Sequence, residues 1–333
     1  MAYKEQERGF PQGIPLLFHA VEERNVNLAA LLNALPGAVA QGLIWGIMSI
    51  GVYITYKVLD LADLTVDGSM ATGGAVCVML ILNGWNVWLA LLCAIAAGML
   101  AGLLTGVFHT AMGIPAILAG ILTQLSLYSL NLAIMDFKAN QGINVTKYQL
   151  IVSQRNVRSP EFSNPIVITL IVLALLIGVL YWFFGTETGC SLRATGANEA
   201  MSRAQGINTK KTKILGLMIS NGIVALSSAM LAHYQGFVDV NMGRGAIVIG
   251  LAAVIISEVL FGKLFRNFAL KLLAVAIGAV LYFIVIQIVL WLGLNTNLLK
   301  LLSALIVAVF LGIPYWKAGL SAKHPHKGGR TNA

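Results

Sequence analysis

Two stretches of this chain concentrate functional groups that the rest of it lacks. In VLDLADLTVDGSMATGGAV, Asp60, Asp63 and Asp67 stand with Thr65 and Ser69 between two apolar runs. In HYQGFVDVNMGRGAIVIG, Asp239, Asn241 and Arg244 hold the same kind of position. Such groups could receive a polar solute through hydrogen bonds and charge. They could equally serve the backbone: Asp67 and Ser69 are good N-caps for a following helix, and Asp239 could pair with Arg244 across its turn. Asp63, Thr65, Asp67, Asp239 and Asn241 are therefore candidate solute contacts, with helix capping as the competing role. No bond-making machinery accompanies them. The sequence holds no HExxH, no GxSxG and no paired carboxylates at catalytic spacing. It also lacks a G-x-x-x-x-G-K-[ST] phosphate loop, because Gly262-Lys263 has Ser257 where the upstream glycine would stand. His109 and His233 end apolar runs without carboxylate or cysteine neighbours, and His324 and His326 lie in a basic tail, so neither pair makes a metal site. Cys77, Cys93 and Cys190 are too few for a disulfide framework.

A third stretch, GTETGCSLRATGANEAMSRAQGINTKK, begins at Gly185 and is long for a mere connection. After a small-residue turn at Thr195, Gly196 and Ala197, Asn198 is placed to cap a short helix through Glu199, Met201 and Arg203, which Gly206 would end. An exposed helix of this composition suits docking by a soluble partner.

The elements that position these groups follow from composition. The 333 residues are 58% hydrophobic and 11% charged, with a mean hydropathy of +0.83. A globular domain carries about 25% charged residues, so this chain cannot cover itself with polar surface, and lipid must face the surplus. A soluble enzyme, a nucleic-acid binder and a disordered chain are excluded. The net charge of +9 then reads as a topology signal and as contact with anionic lipid. No alternation typical of a β-barrel is visible. The expectation is an all-α, polytopic membrane protein of about nine transmembrane or re-entrant helices. These are 35–56, 69–82, 87–108, 114–135, 165–184, 214–233, 246–261, 270–292 and 298–315. Residues 1–34 read as a polar N-terminal segment with interfacial character, 35–316 as the membrane domain, and 317–333 as a basic tail. Gly73, Gly74, Gly98, Gly102 and Gly250 favour close helix packing.

Lys317, Lys323, Lys327 and Arg330 place the tail in the cytoplasm by the positive-inside rule. Counting back puts 185–213, with Arg193, Arg203, Lys210, Lys211 and Lys213, on the same side. Residues 262–270, with Lys263 and Arg266, join them, and Glu258 would reach toward those two charges. Residues 136–164 and the N-terminus fall outside. A weak internal repeat is also present. A helix, an aspartate (Asp63, Asp239) and a glycine opening the next run (Gly68, Gly243) recur at an offset of about 175 residues. Paired interruptions of this kind often hold transporter sites.

SLRATGANEAMSRAQGIN resembles the signature loop of ABC-importer permeases of the branched-chain amino acid and simple-sugar transport family. Leu192, Arg193, Ala194, Gly196, Asn198, Gly206, Ile207 and Asn208 stand at the matching places, and Arg203 lies within the loop. DLTVDGSMATGGAV is similar to the family's first broken helix, in the wording of a subgroup associated with amino-acid, including aromatic amino-acid, import. The resemblance runs from Gly42 to Pro314. It implies a multi-pass permease of the bacterial cytoplasmic membrane that pairs with a second permease subunit, identical or not. It further implies a cytoplasmic ATPase dimer contacted through Leu192–Asn208 and an extracytoplasmic solute-binding protein. No cofactor is expected on this chain, ATP being hydrolysed by the partner. The alternatives are a sugar or nucleoside importer of the same family, an ion-coupled secondary transporter built on Asp60, Asp63 and Asp67, and, least of all, an intramembrane enzyme.

Overall fold

A computed structural model of the chain describes residues 28–293 except 146, 149, 158–163 and 263, together with 298, 301, 304, 305, 307–309 and 312. Its helices are α1 (Leu28–Tyr53), α2 (Thr65–Leu82), α3 (Val87–Thr110), α4 (Ala116–Ile134), α5 (Pro165–Gly185), α6 (Glu187–Ala197), α7 (Glu199–Ala204), α8 (Thr209–Gln235), α9 (Ala246–Phe261) and α10 (Phe268–Trp291). Asparagine starts several of them. The side chains of Asn86, Asn164, Asn198, Asn208 and Asn267 accept backbone N–H bonds at the starts of α3, α5, α7, α8 and α10. The only sheet among the described residues is a two-stranded pair, β1 (Asn140–Gly142) antiparallel to β2 (Phe237–Asp239), with Asn140 opposite Asp239.

Among the described residues seven helices are long and apolar enough to cross a membrane, and α9, at 16 residues, is shorter. Eight of the nine expected elements therefore coincide with helices. Of the ninth, 298–315, only eight residues are described, residues 1–27 of the expected N-terminal segment lie outside the described residues, and so does the expected basic tail. Burial separates the spans, with α10 intermediate at 44%. The apolar windows of α1, α8 and α2 are 83%, 78% and 72% buried, whereas those of α3, α4 and α5 are 28%, 28% and 17% buried. The first three form the core. The others turn Leu92, Leu100, Ile171, Leu175 and Trp182 outward, as lipid-facing helices must.

Contacts along α1 and α8 fix their relative direction. Tyr234 donates to the Gly37 carbonyl, Ser227 to that of Ile44 and Ser220 to that of Gly51, so one sequence rises as the other falls. The two helices are antiparallel. Beside α8, α2 runs parallel to it, with Ser69 on Asn221 and Cys77 on His233. Beside α1, α9 runs parallel to it, with Gly250 on Val52 and Glu258 on Lys57. Each long helix is thus followed by a return segment and a shorter helix that runs alongside the long helix of the other unit, and the two units are inverted with respect to each other. The repeat read in the sequence is of the inverted kind.

Glycine makes these close approaches possible. A Cβ on Gly73, Gly74, Gly98, Gly102 or Gly250 would collide with a neighbouring element. Gly98 and Gly102 bring α3 onto the backbone of α8 at Asn221 and Leu217, as Gly42 and Gly46 bring α1 onto α10 at Val280 and Ala276.

Candidate functional site

After α1 the chain passes through a π-helical turn, Ile54–Val58, and then Asp60 in the left-handed region (φ 54°). The return segment leads to Asp63, which is 3% exposed. One Asp63 oxygen accepts the Thr65 N–H at 2.9 Å, capping α2, and the other accepts from Asn221 Nδ2 at 2.7 Å. Ser69 Oγ donates to Asn221 Oδ1 at 2.7 Å. Thr65, Thr105 and Thr123 join hydroxyls at 2.6 and 2.9 Å, tying α2, α3 and α4 together. Asn221 lies near the middle of α8, so this network sits at mid-span. A charge at that depth is tolerable only when satisfied, and Asp63 is satisfied on both oxygens.

The capping role assigned to Asp67 is corrected in its object. Asp67 lies inside the first turn of α2, and its oxygens accept the N–H groups of Gly245 (2.9 Å) and Ile247 (3.0 Å). It therefore caps α9, whose own N-cap position is a glycine (Gly245, φ 86°) with no side chain to offer. Ser69 caps nothing and bonds Asn221 instead. A carboxylate at the N-terminus of α9 also meets the positive end of that helix dipole. The starts of α2 and α9 thus meet at mid-span, where the Asp67 carbonyl packs against Gly243.

The pairing expected between Asp239 and Arg244 is absent among the described residues. Asp239 accepts the Asn241 N–H at 2.7 Å and shapes its own turn, while the Arg244 guanidinium lies 5.9 Å from the Tyr128 ring centroid. Glu258, expected to reach toward Lys263 and Arg266, pairs with Lys57 at 2.7 Å, because α9 lies along the π-helical end of α1; Lys263 lies outside the described residues. Beside Asp67 opens a cavity of about 290 Å³ lined by Gln124, Leu125, Tyr128, Asn131, Val240 and Arg244 among others. It joins Asp67 to the second interruption. Asp63, Thr65, Asp239 and Asn241 are not among its lining residues.

The long loop is more ordered than expected. Residues 187–197, where Thr195–Ala197 suggested a turn, form the helix α6. Leu192 is fully buried in it, and a Cβ on Gly196 would run into the Val58 carbonyl. Asn198 leaves helical geometry (φ −158°) and caps α7 by accepting the Met201 N–H at 3.0 Å. Gly206, at φ 86°, ends α7 as expected. Asn208 caps α8 by accepting the Lys211 N–H at 3.1 Å. Glu199 takes Arg203 and Lys213 at 2.7 Å each, joining α7 to α8. Those bonds, the Lys213 one first, hold the Glu199 carboxyl below the usual glutamate range. Arg193, Met201 and Arg203 face outward, while Ala194 and Ile207 are half-buried. The hairpin is thus fixed at its base and exposed at its tip.

Sequence reasoning missed Gln124, Tyr128, Asn131 and Asn221. A usable signal existed. Residues 124, 128 and 131 recur at i, i+4 and i+7 and so share one face of an otherwise apolar helix. Asn221 is an amide inside a span, which is a functional or structural flag by itself. Among the described residues no group of three or more metal-ligating side chains occurs; His233 sits against Cys77 at 3.2 Å and His109 against the Ile114 carbonyl at 2.8 Å.

The family model described as branched-chain amino acid transport system, permease component, matches residues 35–318. The tyrosine transport system permease protein of Clostridioides difficile (strain R20291) is 38% identical over 280 residues, covering 84% of this chain and 91% of that protein. An uncharacterized protein of Rickettsia prowazekii (strain Madrid E) is 35% identical over 282 residues, covering 84% and 97%. The fructose import permease protein FruF of Bifidobacterium longum (strain NCC 2705) is 26% identical over 260 residues, covering 74% and 68%. A match of this length, on a chain of stacked apolar helices, makes it a multi-pass membrane protein that belongs to the branched-chain amino acid transport permease family.

Proposed function

We propose that this chain is the membrane-spanning permease subunit of an ABC importer that moves an amino acid, with tyrosine and related aromatic amino acids as the first solutes to test. The observation that carries the reading is the hairpin 187–208. Its base is locked onto the π-helical end of α1 through Gly196 and Val58, and its tip presents Met201 and Arg203 to solvent. A push on α7 therefore reaches Asp63 and the start of α2 with only Leu59–Ala62 between. Coupling runs through Leu192, Arg193, Ala194, Gly196, Asn198, Arg203, Gly206, Ile207 and Asn208. ATP is hydrolysed by a separate cytoplasmic ATPase dimer, solute arrives on an extracytoplasmic binding protein, and a second permease subunit completes the path. The hairpin face and the C-terminus are cytoplasmic, in a bacterial plasma membrane. The relative that transports tyrosine, at 38% identity, supports the amino-acid class. A sugar solute is the second reading, supported by the relative that imports fructose. Asp67 is the original candidate best placed on the solute path, whereas Asp63 and Thr65 hold the elements around it.

The test is uptake into proteoliposomes holding the permease, its ATPase and its binding protein. Radiolabelled L-tyrosine should accumulate only with ATP inside the ATPase compartment. Gly206→Pro, which removes the left-handed turn that ends α7, should lower uptake at least tenfold with membrane insertion unchanged. Uptake driven by a proton or sodium gradient without the ATPase would contradict the proposal, as would fructose uptake with none of tyrosine.

A further inference from the structure

The cavity beside Asp67 contains an oddity that the coupling role does not use. Arg244 stands one residue from Gly243, which packs on the Asp67 carbonyl, and so lies at the level where α2 and α9 begin. The side chain is exposed, and no carboxylate lies within ion-pair distance of it among the described residues. A guanidinium facing hydrocarbon at mid-span is strongly unfavourable, so the face bearing it is wetted. Asn131 is 1% exposed, lines the same cavity and leaves its side-chain oxygen without a hydrogen-bond partner. Its amide nitrogen makes only a long 3.5 Å bond to the Gly68 carbonyl. Buried amides are ordinarily satisfied, and an unsatisfied one at the wall of a cavity is an acceptor awaiting a donor. Tyr128 and Leu125 add an aromatic and an aliphatic face to the lining.

A cation that rests on an aromatic ring with no carboxylate partner among the described residues, a free acceptor and an apolar wall within about 290 Å³ match a zwitterionic α-amino acid. We infer that this cavity is a transient binding site for the passing solute, in which Arg244 pairs with the α-carboxylate and the Asn131 oxygen accepts from the α-ammonium. The solute side chain lies against Tyr128 and Leu125. Asp67 contributes by fixing the turn that carries Arg244, since its own oxygens are engaged by Gly245 and Ile247. This assignment rests on the amino-acid reading above and adds the residues that recognise the headgroup.

Two truncated probes separate the two contacts: tyramine lacks the carboxylate, and 3-(4-hydroxyphenyl)propionate lacks the amine. Binding of each and of L-tyrosine is measured on the purified permease–ATPase complex in nanodiscs, without binding protein. The wild type should prefer L-tyrosine over either probe by about tenfold or more, as a charge-assisted bond requires. Arg244→Gln should erase the preference over tyramine alone, Arg244→Lys should keep most of it, and Asn131→Leu should erase the preference over the deaminated acid alone. Equal binding of all three by the wild type, or preferences that survive in the variants, would overturn the site. So would absence of any measurable binding. If Arg244 instead serves contact with a second subunit, the preference survives in Arg244→Gln while dimer yield falls, and that also overturns it. Uptake by the wild-type complex is followed in parallel. Preferences intact without ATP-driven amino-acid uptake would defeat the transport reading and leave the site standing.

Discussion

Asp63 and Asp67 are alike in type and four residues apart, yet they do different work. Asp63 is sealed between Thr65 and Asn221, whereas Asp67 reaches across 178 residues of sequence to the N–H groups that start α9. Removing Asp63 uncaps α2 and frees an amide that was paired at mid-span, a loss of about 1–3 kcal/mol. Asp63→Ala should therefore lower the unfolding temperature of the purified protein, while the folded fraction keeps its affinity for solute; Asp63→Asn should fall between. Thermal unfolding and saturation of uptake measured together decide this, and an unchanged unfolding temperature with a raised KM would make Asp63 a solute contact instead. The sequence showed that these aspartates needed a reason to be where they are. It could not show which helix each one caps, because a cap across the molecule leaves no local spacing to read. Asn131 and Tyr128 were legible as a polar face on an apolar span, but Arg244 was misassigned because its nearest charge in sequence, Asp239, turned out to be consumed by its own turn.

At the level of elements, hydropathy marked eight helices well because lipid imposes their length and composition. The helix α6 escaped for the opposite reason. Its residues, ETGCSLRATGA, have no apolar period and two glycines, and Gly196 is helical because tertiary packing on Val58 demands a residue without a side chain. The short helix α7 was legible, since Asn198 and Gly206 are local signals. Its attachment is electrostatic. Glu199 holds Arg203 and Lys213, and its depressed carboxyl means that the folded state binds its proton less readily than the unfolded chain does. The contribution is therefore complete above the ordinary glutamate range and is lost as the pH falls through the depressed value. Hydrogen–deuterium exchange of residues 199–208, corrected for intrinsic rates, should show protection falling as the pH drops below the ordinary glutamate range. In Glu199→Gln the protection should already be low at neutral pH and flat across that window. A wild-type profile equally flat would mean that α7 is held by its caps and by Ser202 alone.

At the scale of the molecule, two inverted helix–return–helix units bring the starts of α2 and α9 together at mid-span, and α1 and α8 cross antiparallel between them. Asp67 belongs to one unit and caps the other, and so ties the two halves together at the point where the polar cavity lies. The hairpin 187–208 abuts the same path from its end, through Val58. This geometry supports the proposed conduit, moved at one face by a partner. The inverted sense of the repeat was not readable from Asp63, Gly68, Asp239 and Gly243, because spacing along a chain carries no direction in space; only the serine and tyrosine bonds between α1 and α8 supply it.

Whether a separate motor drives the chain through this hairpin is tested most directly by a single cysteine at its tip, Met201→Cys, with Cys190→Ser to remove the exposed native thiol. In membranes carrying the whole importer, a short bifunctional reagent should link residue 201 to the ATPase, with a yield that changes on adding ATP, and an impermeant thiol label should reach it only from the cytoplasmic side. Labelling from the outside, or full transport with no cross-link to the ATPase, would contradict the account.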